Sequence, residues 1–369
     1  MALGQVSVSD IDSGQGDFTS PECQFLFIGK AAANQDKVLY LDQSSDLDSL
    51  LGTATSGLKT SLAAAKANAS ANWTAVVMPR TNSGEWQTAF DIAMAQNIIC
   101  EAVVIADPMT AQSELDVIAT ALAETENNLG RSLFFVAANA APEATDKWGD
   151  FISAFNTLQE GVSATGIMLI PEVFNGWMGT VCGRLSNDVV TIADTPMRTQ
   201  TGAIVGLSTL PADMDGTVFN MAHAKALNDA RGTVPQVYPD YDGIYCSDGM
   251  TLAPEASDYA VIENLRVVNK VKRQVRILSI KKVGNRELNS TPLSIAAHET
   301  YFMRPIIDMS KSITSNGIYK PGEVKPPVDG DVSISWASRT KVQIALLVRP
   351  YNCPKAIQAY IALNLTSEV

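Results

Sequence analysis

Trp73-Thr-Ala-Val-Val-Met78, Ala102-Val-Val-Ile-Ala106, Leu133-Phe-Phe-Val-Ala137 and Gly166-Ile-Met-Leu-Ile170 are short apolar runs that recur between Trp73 and Phe174. They are rich in β-branched and aromatic residues, which favour strands. Between them lie segments of helical character, near Glu85 to Asn97, Gln112 to Asn127 and Ala144 to Gln159. Strand and helix alternating at about 30 residues per unit is the mark of βαβ crossovers. The expected fold is therefore α/β, with a mostly parallel sheet whose faces are covered by helices.

Outward from this block the pattern changes. Residues 1–20 read as an extended arm: Val6 and Val8 alternate with Ser7 and Ser9 at strand period, and Asp12-Ser-Gly-Gln-Gly-Asp17 reads as a turn. A single strand of that length cannot bury itself and needs a partner. Gln24-Phe-Leu-Phe-Ile-Gly29 is a buried-strand candidate, Val38 to Leu41 another, and the alanine-rich stretch Leu58 to Ala71 suits a helix. Val189 to Pro254 is less regular, with one helix from about Thr217 to Ala230, a Pro/Asp/Gly-rich passage at 235–243 and a boundary near Pro254. Ser257 as N-cap and Asp258 in the first turn then open a long helix running to about Leu278. Val261, Leu265, Val268, Val271, Val275 and Leu278 make one apolar stripe, with Arg266, Lys270 and Arg273 together on the opposite side. Two strand-like runs, Lys341 to Arg349 and Ala356 to Leu363, joined by Pro350-Tyr-Asn-Cys-Pro354, read as a terminal hairpin.

The chain of 369 residues carries a net charge of −12 and is electrically divided. Residues 261–369 hold 16 Lys and Arg against 8 Asp and Glu, a net of +8, whereas the first 260 carry a net of −20. Two regions meeting different partners, or the acidic part of one copy meeting the basic part of the next, would explain the division. Neither a secretory signal nor an apolar run of membrane-spanning length is read from the sequence, so folding in the cytosol and no membrane insertion are expected. The five cysteines are scattered without a Cys-x-x-Cys pair, which suggests reduced, mostly buried thiols.

Signatures of catalysis fail residue by residue. Gly29-Lys30 lacks the upstream glycine of a phosphate-binding loop, with Gln24 in its place, and Ala31 stands where Ser or Thr is needed. Gly14-Gln-Gly16 is only a fragment of a dinucleotide motif, because Thr19 replaces its last glycine. Gly206-Leu-Ser-Thr-Leu210 misses the second glycine of a nucleophile elbow. The two histidines, His223 and His298, are far apart in sequence, and Asp240, Asp242 and Asp248 are explained by Asp-Gly turns better than by a calcium loop. No cofactor or metal is expected. Nucleic acid is disfavoured as a partner of the basic stripe by the acidic chain and by the lack of aromatic residues interleaved with the stripe; a solvated helix face and an acidic protein partner both stay open.

The order of parts, together with Asp242-Gly-Ile-Tyr-Cys-Ser-Asp-Gly-Met-Thr-Leu252 and the Arg266-Val267-Val268 motif on the following helix, resembles the sheath subunits of contractile phage-type tails. The likeness is specific from about residue 235 onward and architectural before it. It implies a multi-domain tail-sheath-like architecture: a strand arm at 1–20, the N-terminal part of an inner domain at 21–72, an outer α/β domain at 73–254, and a basic, tube-facing α+β domain at 255–369. It also implies a structural protein of the virion tail, assembled in the host cytoplasm, that polymerises helically around an inner tail tube and contracts to drive it through a bacterial envelope. Its partners would be itself, the tail tube protein, and baseplate and tail terminator proteins. Arg266, Lys270 and Arg273 would then face the tube, and Val6, Val8, Val342, Ile344, Leu346, Ile357 and Ile361 would lie in strands exchanged between subunits. A nucleotide- or cofactor-dependent α/β enzyme and a different tail structural protein are the alternatives.

Overall fold

The computed structural model describes residues 21–81, 83–315 and 317–362. Six strands, β1 (Phe25–Lys30), β2 (Leu39–Asp42), β3 (Thr74–Arg80), β4 (Ala102–Ile105), β5 (Phe134–Ala138) and β6 (Ile167–Ile170), form one sheet in the order β2-β3-β1-β4-β5-β6. All neighbours pair parallel except β2, which runs antiparallel to β3 at the edge. The runs quoted above are β3 to β6. They are apolar along their whole length because a sheet covered on both faces buries every side chain, and β4, β5 and β6 are buried throughout.

The interleaved helices are α1 (Leu47–Leu51), α2 (Gly57–Asn68), α3 (Trp86–Ala95), α4 (Gln112–Glu124), α5 (Trp148–Gln159), α6 (Trp177–Leu185) and α7 (Met221–Asp229). Strand order reverses at β1, so right-handed crossovers put α2 on one face of the sheet and α3, α4 and α5 on the other. Trp86 and Phe90 of α3 pack on Phe135, while α6 lies against α2 on the opposite face. That helix pair comes unusually close: a Cβ on Gly179 would strike the Ser61 backbone, and one on Gly183 the Ala65 backbone. Small residues four apart on both helices make the approach possible.

One expected boundary is corrected by this topology. Residues 21–72 do not belong to a separate inner unit, because β1 is a central strand and α2 packs on it. A single apolar core runs from Phe25 to Leu265. The sequence had masked this, since β1 stands apart from the regular repeat and pairs with strands on both sides only after the chain returns to it.

Beyond α7, the Pro/Asp/Gly-rich passage read as irregular is a hairpin of β7 (Pro235–Tyr238) and β8 (Tyr241–Cys246), turning through Asp240 at a φ of 60°. The long helix α8 spans Ile262–Ile280, later than expected, with Val261 rather than Ser257 at its N-cap. A second long helix, α9 (Pro292–Ser310), was not anticipated; Thr291 caps it through the Ser294 amide, and Pro292 occupies its first turn. The short pair β9 (Ile313–Ser315) and β10 (Ile318–Lys320) follows, then the hairpin β11 (Val332–Ser338) and β12 (Lys341–Leu346). The expected terminal hairpin is thus corrected: Lys341–Leu346 is a strand, but it pairs backward with β11, and 356–362 forms no strand among the described residues. Cys100, Cys182 and Cys246 are buried, and all five thiols are unbridged.

Candidate assembly interface

Helix α8 lies across the amino ends of the parallel strands. Arg266 reaches Glu101, the residue before β4, with Nε donating to Oε1 at 2.7 Å and an Nη donating to Oε2 at 2.8 Å. The Cys23 amide donates to the same carboxylate at 2.7 Å, and the Asn269 amide reaches the Leu133 carbonyl. Arg273 donates to the Ser132 carbonyl at 2.8 Å and pairs with Glu22 at 2.6 Å. At the exposed end, Lys272 pairs with Glu126 and Arg276 donates to the Leu129 carbonyl.

The expectation of a partner-facing basic stripe is corrected here. Arg266 is 1% exposed and Arg273 8%, so both are spent inside the chain. Lys270, on the other side of the contact, is held by both oxygens of Glu323. A helical wheel sets charged against apolar residues but cannot distinguish water from a row of acidic groups, and Glu22 and Glu101 supply such a row. Burial pushes the Glu101 carboxyl up, but Arg266, Arg273 and the Cys23 amide together outweigh it and hold Glu101 below its ordinary range. The Glu101 signal was present in the sequence: it is the one acid within Ile98-Ile-Cys-Glu-Ala-Val-Val-Ile105, and a carboxylate inside such a run needs a buried cation.

The apolar residues of α8 join three groups. Ile262 and Leu265 belong to the sheet core; Val267 and Val271 pack with Ile192, Ile306, Met309 and Val324; Val275 and Leu278 approach Phe302 and Ile334. The basic residues left at the surface include Lys272 and Arg276 of α8 and, beyond it, Lys281, Arg286, Arg304, Arg339 and Lys341.

Val342, Ile344 and Leu346 of β12 are half-buried and pack towards Phe302, Val332 and Ile334. Among the described residues β11 and β12 pair only with one another, so the hairpin has two unpaired edges. Ile357 and Ile361 stand fully out in solvent, 83% and 97% exposed, as does Tyr360 at 90%. Val6 and Val8 lie outside the described residues. Among the described residues, the last side chain to tie the carboxyl-terminal segment to the body is Lys355, which donates to both Asp248 and Glu263.

The crevice at the carboxyl ends of the strands, where doubly wound sheets bind ligands, is lined by Ser56, Asp107, Asn139, Glu172 and Gly176. Its best anion donors are already engaged: Glu172 accepts from the Gly176 amide at 2.6 Å and the Met178 amide at 2.7 Å at the start of α6. His298 is buried against its own helix carbonyl, and His223 stacks on Trp148. Among the described residues no cluster of His, Cys, Asp and Glu could hold a metal ion, and no helix is long and apolar enough to cross a membrane.

The described residues thus form an α/β body with unpaired strand edges in its carboxyl-terminal hairpin and an exposed apolar tail. Comparison supplies the class: the chain is 39% identical over 373 residues to a protein of Haemophilus phage HP1 (strain HP1c1) named "Putative tail sheath protein", covering 98% of each. It belongs to the phage tail sheath proteins, which are structural and not enzymes. Its own family is the one described as DUF2586, whose N-terminal domain matches residues 3–250 and whose C-terminal domain matches 258–366. The fold is shared with far more distant chains. A sheath tail protein from Desulfitobacterium hafniense superposes with a TM-score of 0.57 at 9% identity, covering 93% of this chain and 96% of that one. A chain of the anti-feeding prophage helical sheath in its contracted state gives 0.55 at 12% identity over 100% of both. One from the same particle's baseplate gives 0.60 at 10% identity, over 99% of this chain and 100% of the other.

Proposed function

We propose that the chain is the subunit of a contractile sheath, polymerising helically around an inner tail tube by exchange of its terminal segments and contracting to drive the tube through a bacterial envelope. The observation that carries this reading is the pairing of unmet needs at the carboxyl terminus. Among the described residues the β11–β12 hairpin pairs with no further strand, and Ile357, Tyr360 and Ile361 are 83%, 90% and 97% exposed. Burying each of those side chains is worth roughly 1.5–3 kcal/mol, so a neighbouring copy that accepts the segment gains both backbone hydrogen bonds and apolar contact. A segment donated from each copy to the next is a heterologous contact, which generates a helical array when it does not close into a ring. Val6 and Val8 would supply the second exchanged strand. The tail tube would meet the exposed cations of residues 261–369 rather than the α8 stripe, with baseplate and tail terminator proteins at the two ends of the array. Assembly would take place in the host cytoplasm and end in the virion tail.

Negative-stain electron microscopy of the concentrated full chain, beside chains lacking residues 1–20 or 356–369, tests the reading. Hollow tubes from the full chain and none from either truncation support it; tubes of equal length and number from both truncations overturn the exchange of segments.

A further inference from the structure

Helix α8 touches the roots of both terminal segments. At one point Arg273 pairs with Glu22, the second residue after the amino-terminal twenty, with side chains 8% and 12% exposed. Ten residues earlier, in the first turn, Glu263 is held by Lys355, immediately before the exposed segment that begins at Ala356. The two attachment points are about 15 Å apart along one helix. Lys355 also bonds Asp248, and the Glu263 carboxylate is 7% exposed, so this junction is shielded from the salt that weakens surface pairs. Between the two points, the buried Arg266–Glu101 pair pins the helix to the sheet.

We infer that α8 is a tension strut: a pull arriving through the amino-terminal segment passes by Glu22 and Arg273 into the helix, and leaves by Glu263 and Lys355 into the carboxyl-terminal segment. This rests on the proposed exchange of terminal segments between copies. The arrangement suits that task because a helix is stiff along its axis, whereas the path from Glu22 to Lys355 along the covalent chain crosses every loop of the molecule. The ion pairs at the roots set how much tension the subunit bears before a segment peels from the body. Cys353, whose thiol reaches the Ala193 carbonyl, and the Lys325–Arg349 backbone bond steady the chain just before Lys355 but attach to other elements.

The test compares the full chain with Lys355→Gln, Glu22→Gln and the double variant. Polymers are broken by calibrated sonication, and fragmentation rates are read from length distributions in micrographs. Subunit melting is followed separately in dilute, high-salt solution. Each single variant is expected to assemble, to lose some subunit stability as the remaining charge is left without its partner, and to fragment on the order of tenfold faster. Because the two links act in series, their failure rates add, so the double variant should fragment at about the sum of the two singles' rates, no more than about twofold above the faster. Lys355→Arg, which keeps the charge, should fragment like the parent. Rates that multiply in the double variant, or singles that fragment like the parent, overturn the strut. Failure of the underlying reading has a different signature, since a chain lacking residues 356–369 would then polymerise normally.

Discussion

Arg266 and Glu101 form two parallel hydrogen bonds at 2.7 and 2.8 Å with side chains 2% and 0% exposed, joining residues 165 positions apart. The pair is the electrostatic bolt between the parallel sheet and the carboxyl-terminal unit. Deep burial makes its two halves unequal to their sum, because either charge alone is stranded.

Arg266→Met or Glu101→Leu alone should therefore each cost about 3–5 kcal/mol of subunit stability. Replacing both together, as Arg266→Met with Glu101→Leu, should be far less costly than the two single losses added. Urea unfolding of the dilute chain in a double-mutant cycle measures this; additive losses would show that the pair is not coupled.

The pH response should carry the mark of Glu172. Burial pushes its carboxyl up to about 7 against the amides of Gly176, Trp177 and Met178, which pull it back. Between about pH 4.5 and 7 the folded chain keeps a proton that the unfolded chain releases, so this group's contribution falls as pH rises and levels off above 7. The full span is worth about 3 kcal/mol. Stability curves from pH 4.5 to 8 for the parent and Glu172→Gln should differ by that slope; parallel curves would refute the assignment.

Gly183→Ala and Gly179→Ala should destabilise, although alanine is the better helix former by about 1 kcal/mol. The added methyl meets the α2 backbone at Ala65 or Ser61, which cannot rotate away as a side chain could. A net loss of about 1–3 kcal/mol is expected by thermal unfolding. A stabilised variant would mean that α2 and α6 separate freely.

Attachment to the tail tube, if it uses the exposed cations, should weaken when Lys281 and Arg286 on the turn after α8 are changed to Glu, and more so at low salt. Co-sedimentation of sheath with tube across a salt series reads this. Equal binding at every salt concentration would move the contact elsewhere.

Much of the fold was legible because β3 to β6 are continuous apolar runs punctuated by helices, a pattern that only a covered parallel sheet requires. The membership of β1 was not, since nothing in Phe25-Leu-Phe-Ile28 says that its neighbours lie 50 to 80 residues ahead. The basic stripe was seen but misassigned: spacing placed Arg266 and Arg273 on one face, whereas Glu22 and Glu101 that cover it come from the other end of the chain. Ile357 and Ile361 were read correctly as apolar and wrongly as half of an internal hairpin, because alternation cannot say whether the pairing strand belongs to the same molecule.

The Arg266–Glu101 bolt also sets a schedule. At roughly 5–20 residues per second a ribosome takes on the order of 10–30 s to travel from one partner to the other, across the 165 residues between them. Through that interval β4 stands with a carboxylate at its root and no counter-charge, so the sheet lacks the full stability that the pair gives it. The amino-terminal segment is made first and the carboxyl-terminal one last, so a subunit able to recruit neighbours through both exists only after helix α8 has been made.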